Sequence, residues 1–192
     1  LFLLSLGMFL LYPQMSAGPG GFKFYQKTAW VESIGISYQV GVDGINVGLI
    51  LMGAAVALAA SFACWGIKRR ERDFYFLFLV MVGGILGAFA SLDVFFFYFF
   101  HELALVPTFI MIGVWGRGEN KNYATFKITI YLTIGAMLAL VGLIALYVQS
   151  GAQTFDMIEL TNHVRENPIP ESQQKIIFPL LMFGFGILVS IW

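Results

Sequence analysis

Val94 to Trp115 reads VFFFYFFHELALVPTFIMIGVW, an aromatic and aliphatic run interrupted at its middle by the adjacent pair His101 and Glu102. At about 1.5 Å per residue such a helix is about 33 Å long, enough to cross a hydrocarbon core of about 30 Å. In lipid the backbone has to satisfy its own hydrogen bonds, so a stretch of this kind folds as a helix. A carboxylate at that depth costs roughly 2.5–3.5 kcal/mol on insertion scales, and side chains kept at such a cost mark ion or proton pathways. Pro107 has no N–H to give the Leu103 carbonyl, which is left open to water or another donor. An acid beside an opened backbone is a place where a proton can pause.

Several further apolar runs approach spanning length. Of 192 residues, 59% are hydrophobic and 11% charged, against about 25% charged in soluble domains. Mean hydropathy is +0.82. The expected fold is therefore all-α, a polytopic transmembrane helix bundle. The formal net charge is zero, which offers nothing to a nucleic acid. The one cysteine, Cys64, rules out a disulfide within the chain and reads as inert apolar filling. The sequence opens on Leu1 without the features of a signal peptide and stops at Trp192 inside an apolar run. It is expected to be the N-terminal part of a longer chain, forming a single membrane domain.

Residues 1–12 read as the end of a spanning helix closed at Pro13. Over 22–44 the pattern becomes extended. Ile34, Ile36, Tyr38, Val40 and Val42 alternate with Ser33, Gly35, Ser37, Gln39 and Gly41, the period of a strand with one packed face. A short β-hairpin on the membrane surface is expected there, with Asp43 capping the next helix. Spans follow at about 45–67, 74–90, 94–115, 123–148 and 173–192, and 149–172 reads as a polar loop. Gly83 and Gly87 form a G-x-x-x-G packing motif. Lys68, Arg69, Arg70, Arg72, Arg117 and Lys121 fall on one side, against Lys23, Lys27 and Arg165 on the other. That bias assigns the first group to the cytoplasm or its organellar equivalent, and the hairpin to the extracytoplasmic side.

Glu102 carries either proton transfer or a merely structural tie between helices, and intramembrane acids default to function. Tyr98, one turn earlier, can hydrogen-bond either protonation state. His101 points about 100° away and reads as a neighbour, not a co-ligand. Lys127 is either a snorkelling lysine or a member of a proton relay, about 15 Å shallower than Glu102 by helix register. Asp93 reads as a helix cap. Pro179 and the glycines after it allow the last span to bend or break. No nucleotide loop, nucleophile–base arrangement or metal cluster is evident in the sequence, so redox cofactors are expected elsewhere.

The motifs run in a fixed order: Trp30-Val31 with Gly35-Ile36-Ser37, Gly41-Val42-Asp43-Gly44-Ile45, then Asp93 and its Phe-rich run into His101-Glu102-Leu103-x-Leu105-Val106-Pro107. Trp115-Gly116 and Ala124-Thr125-x-Lys127 with Tyr131 complete the series. From about Trp30 onward the chain resembles the chain-4 (bacterial chain M) antiporter-like membrane subunit of NADH:quinone oxidoreductase, respiratory complex I. The resemblance implies a fragment of an antiporter-like inverted-repeat fold. It also implies a translocase that moves protons while quinone is reduced in other subunits. NADH, flavin, iron–sulfur clusters and quinone would then sit in partner subunits, none in this chain. The partners would be other membrane subunits and the bilayer of a bacterial plasma membrane or organelle inner membrane. Glu102 falls on the family's essential membrane glutamate.

One position departs from the pattern. The family lysine that pairs with that glutamate aligns with Leu188, and the following proline with Ser190. Lys175, thirteen residues earlier, is about 20 Å away along the helix and cannot replace it. Two alternatives therefore stay open. The chain is a subunit of a multi-chain cation/proton antiporter or membrane-bound hydrogenase, or a structural subunit without a working proton path.

Overall fold

The long apolar runs are helical in the computed structural model, which describes residues 1–189 and 191; Ser190 and Trp192, part of the expected 173–192 span, lie outside the described residues. In chain order the elements are α1 (Phe2–Leu11), β1 (Lys23–Val31), β2 (Ile36–Val42), α2 (Asn46–Ala63) and α3 (Glu71–Ala90). After them come α4 (Val94–Trp115), α5 (Lys121–Ser150), α6 (Met157–Glu166) and α7 (Glu171–Leu188). Strands β1 and β2 pair as a two-stranded sheet. Helices α2, α3, α4 and α5 are long and apolar enough to cross a membrane. Helix α7 is not among these four: it begins ESQQK, a polar first turn, and its described residues end the helix at Leu188.

The chain divides into two units, residues 1–30 with 37–108 and residues 31–36 with 109–192. In the first, the hairpin packs in a way its alternation does not suggest. Both faces of β2 are partly covered: Ile36 and Val42 of the apolar series are buried, but so are Ser37 and Gln39 of the other, while Tyr38 is exposed. The reason is Asp93, fully buried at the start of α4. Its Oδ1 accepts from the Phe95 and Phe96 amides at 2.9 and 3.1 Å, and its Oδ2 from the Ser37 amide at 3.0 Å. Asp93 is thus a cap, as its position suggests, and also a tie between β2 and α4. Nearby, the Leu92 amide donates to the Gln39 carbonyl at 2.9 Å, and the Gln39 side chain donates to the Tyr25 hydroxyl at 3.2 Å. The outward aromatic residues meet the Phe run of α4. Trp30 lies 5.7 and 5.4 Å from the Phe95 and Phe96 rings, and Tyr38 meets Phe96 edge-on at 5.3 Å. Asp43 caps α2, accepting from the Ile45 and Asn46 amides at 2.8 and 2.7 Å.

Below the hairpin, Val42, Val47 and Ile50 form a small core with Met8, Tyr12, Leu86 and Phe89 against it. The close approach of α3 to α4 is made by Gly84, not by the expected Gly83. A Cβ on Gly84 would lie 2.7 Å from both the Ala104 nitrogen and the Phe100 carbonyl oxygen, and Gly87 faces the Phe100 ring. Nothing lies within 4 Å of a Cβ on Gly83. Backbone cannot step aside for a methyl group, and overpacking of this kind costs about 1–3 kcal/mol. Gly84→Ala is therefore expected to lower the melting temperature of the solubilised protein, and Gly83→Ala to leave it unchanged.

In the second unit α5 and α7 pack through small residues. A Cβ on Gly135 would meet the Ile187 side chain, on Gly142 the Leu181 side chain, and on Gly184 the backbone of Ala139. The turn at Gly35 (φ +72°) fits under the segment after α5. The Phe155 amide donates to the Gly35 carbonyl at 3.1 Å, and the Tyr147 hydroxyl to the Ile34 carbonyl at 3.2 Å. Residues 149–172, expected as loop, contain α6. Its cap is Asp156, whose Oδ1 accepts from the Ile158 and Glu159 amides at 2.8 and 3.2 Å. The spacing Asp156-x-x-Glu159 was the available signal.

Candidate functional site

Glu102 lies eight residues into α4, about 12 Å along its axis. Little of α4 is covered by the rest of the chain; Val94 and Pro107 are its buried residues. The Glu102 side chain is 35% exposed and that of His101 22%, so the chain's own packing does not seal either. The Glu102 Oε1 atom is nonetheless buried and has no hydrogen-bond partner among the described residues. An unpartnered carboxylate oxygen is rare, because a buried acceptor left unmade costs about 1–3 kcal/mol.

His101 does not point away. Its Nδ1 lies 3.7 Å from Glu102 Oε1, an ion-pair distance longer than a hydrogen bond. Adjacent helical positions normally diverge, and here the side chains turn toward each other. Tyr98 sits on the same face, three and four residues earlier. Its ring is 6.3 Å from that of His101, and its phenol faces the Glu102 carboxyl. The structure thus brings His101 together with Tyr98 and Glu102, and the i, i+3, i+4 spacing from Tyr98 is the sequence signal for all three. Pro107 lies one turn beyond Glu102, is buried, and interrupts the donor series without ending α4. Thr108 Oγ1 donates to the Ala104 carbonyl at 2.9 Å in the same turn.

Lys127 belongs to the second unit, on the outer face of α5. Its ammonium stands 5.9 Å from the Tyr123 ring. With Phe126, Ile130, Tyr131 and Ile134 these residues line an open, largely apolar groove of about 390 Å³. Leu188 is the last residue of α7. Among the described residues no three His, Cys, Asp or Glu side chains converge as a metal site would require.

Comparison with known proteins matches residues 91–192 to the family described as NADH:quinone oxidoreductase/Mrp antiporter, TM. The chain is 37% identical over 167 residues to NAD(P)H-quinone oxidoreductase chain 4 of Gloeobacter violaceus, covering 87% of this chain and 31% of that protein. It is 33% identical over 189 residues to F(420)H(2) dehydrogenase subunit M of Methanosarcina mazei, covering 95% of this chain and 38% of that one. Among solved structures, a chain of respiratory complex I from Thermus thermophilus with bound NADH superposes with a TM-score of 0.81 at 26% identity. That match covers 96% of this chain and 36% of the other. The chain thus spans about a third of the length of the relatives it matches. Four membrane-length helices, the hairpin and the match over 91–192 lead to one assignment: this is an integral membrane protein belonging to the NADH:quinone oxidoreductase/Mrp antiporter transmembrane family.

Proposed function

We propose that the chain is a proton-translocating membrane subunit of a complex I-type NADH:quinone oxidoreductase, in which Glu102 takes up and releases the proton. The observation that carries this reading is the Glu102 carboxyl itself, midway along a spanning helix, open to its surroundings and with one oxygen unpartnered. An acid held at that depth against the cost of insertion is explained by transfer and not by stability. Tyr98 orients the carboxyl, Pro107 opens the backbone beside it, and Lys127 is a relay group nearer the cytoplasmic surface. Loops 68–73 and 116–121 face the cytoplasm, and the hairpin faces the opposite side. Quinone reduction in other subunits supplies the driving force; NADH, flavin, iron–sulfur clusters and quinone belong to those partners.

The test is the number of protons moved per electron pair by the assembled complex carrying Glu102→Gln. A lower ratio at wild-type assembly supports the reading, and an unchanged ratio removes it. A second reading follows from the family, whose description joins oxidoreductase and Mrp antiporter: a subunit of a multi-chain cation/proton antiporter without redox chemistry. Purification of the full-length chain decides between them, because only the first reading brings NADH-oxidising subunits with it. A bracing role, suggested by Leu188 at the end of α7, would appear as assembly failure on deletion with full pumping in Glu102→Gln.

A further inference from the structure

We propose that His101 is the proton-exchanging partner of Glu102, an imidazole and a carboxylate on one helix that pass a proton between them. The inference rests on the reading of Glu102 as a proton carrier and adds a residue to it. Its basis is geometric. Neighbouring residues on a helix are separated by about 100° and do not ordinarily face each other. Here they converge to 3.7 Å, and the oxygen that His101 approaches is the one without any hydrogen bond among the described residues. Tyr98 completes the cluster from one turn away, against both side chains.

The neighbouring helix brings Glu102 no cation at this depth. The helix that packs against this part of α4 is α3, through Gly84 and Gly87 on Phe100, Leu103 and Ala104. The ionisable residues of α3 are Glu71, Arg72, Asp73 and Tyr75, all nine or more residues before Gly84 and so about 13 Å or more along the axis. On α4 itself the titratable groups are Tyr98, His101 and Glu102. An imidazolium beside the carboxylate makes the pair neutral overall, the arrangement that lowers the cost of a buried charge.

The exchange balances without electrons. Starting from imidazolium and carboxylate, the ring N–H bond breaks and a carboxyl O–H bond forms, leaving a neutral ring and a neutral acid. The acid then releases its proton to a water molecule, and the ring regains one from a hydronium ion, so that one proton enters as one leaves. At 3.7 Å the transfer needs a small side-chain rotation or one bridging water.

The experiment uses the full-length chain in its assembled complex with 15N-labelled histidine. The ring signals of His101 are identified by their absence in His101→Asn. They are expected to move when Glu102 is changed to Gln, and unmoved signals would overturn the proposal. In liposomes, His101→Asn is expected to reduce proton flux at least about tenfold, a conservative share of the 10²–10⁴-fold that a positioned acid–base group contributes. Full flux in His101→Asn with impaired Glu102→Gln sinks the pair alone. Full flux in Glu102→Gln sinks the proton-carrier reading itself. Should His101→Asn fail to assemble, His101→Gln takes its place as the reference that identifies the ring signals, and the comparison with Glu102→Gln is read in the same way.

Discussion

Glu102→Gln is expected to reduce proton flux through this subunit by about a hundredfold or more, within the range measured for removal of a positioned acid–base group. The substitution keeps the size of the side chain and one carbonyl-type oxygen, so the packing around α4 is preserved. It removes the one property that transfer requires, exchange of a proton at the carboxyl. Stability should not fall with it. An intramembrane carboxylate costs roughly 2.5–3.5 kcal/mol to insert, and an uncharged amide relieves part of that cost. The Oε1 atom makes no hydrogen bond that the amide would break. The variant should therefore assemble at wild-type levels and pump poorly, read as acidification of liposomes against electrons consumed. Poor assembly together with poor pumping would point instead to a structural role.

Asp93→Ala is expected to have the largest effect on folding. The carboxyl is fully buried and accepts from three backbone amides, those of Ser37, Phe95 and Phe96. Each buried donor left without a partner costs about 1–3 kcal/mol, so the sum is at least about 3 kcal/mol before relaxation. That is a large part of the stability of an ordinary domain, about 5–15 kcal/mol. Asp93→Asn should fall between wild type and alanine, because its single carbonyl oxygen serves either the α4 amides or the β2 amide but not both. Hydrogen exchange checks the mechanism: faster exchange at Ser37, Phe95 and Phe96 in Asp93→Ala is expected. Unchanged exchange there would mean that other contacts hold β2 against α4.

Much of this arrangement was legible from residue pattern. The α4 boundaries follow from the apolar run between Asp93 and Gly116, broken only at His101 and Glu102. Glu102 stood out because a charge in that run has to be explained. What escaped the reading depends on partners distant in sequence. Alternation in β2 predicts one packed face, yet Ser37 and Gln39 on the other face are buried as well, because Asp93, fifty-six residues beyond Ser37, binds that side of the strand. Of the Gly83 and Gly87 pair, Gly87 meets α4 at the Phe100 ring, and its companion on that face is Gly84, three residues earlier, and not Gly83. The α6 helix was hidden by polar composition; its Leu160 is buried while its other face is charged. His101 was set aside on ideal helix geometry, which fixes where a Cβ points and not where a rotatable ring comes to rest.

The central claim is that the Glu102 carboxyl gains and loses a proton in each cycle. Difference infrared spectroscopy of the assembled complex during turnover observes that group directly, with Glu102→Gln as the reference. The account predicts a protonated-carboxyl band that rises and decays with turnover and is missing from the variant. A turnover spectrum identical in the two proteins throughout the carboxyl region would contradict it.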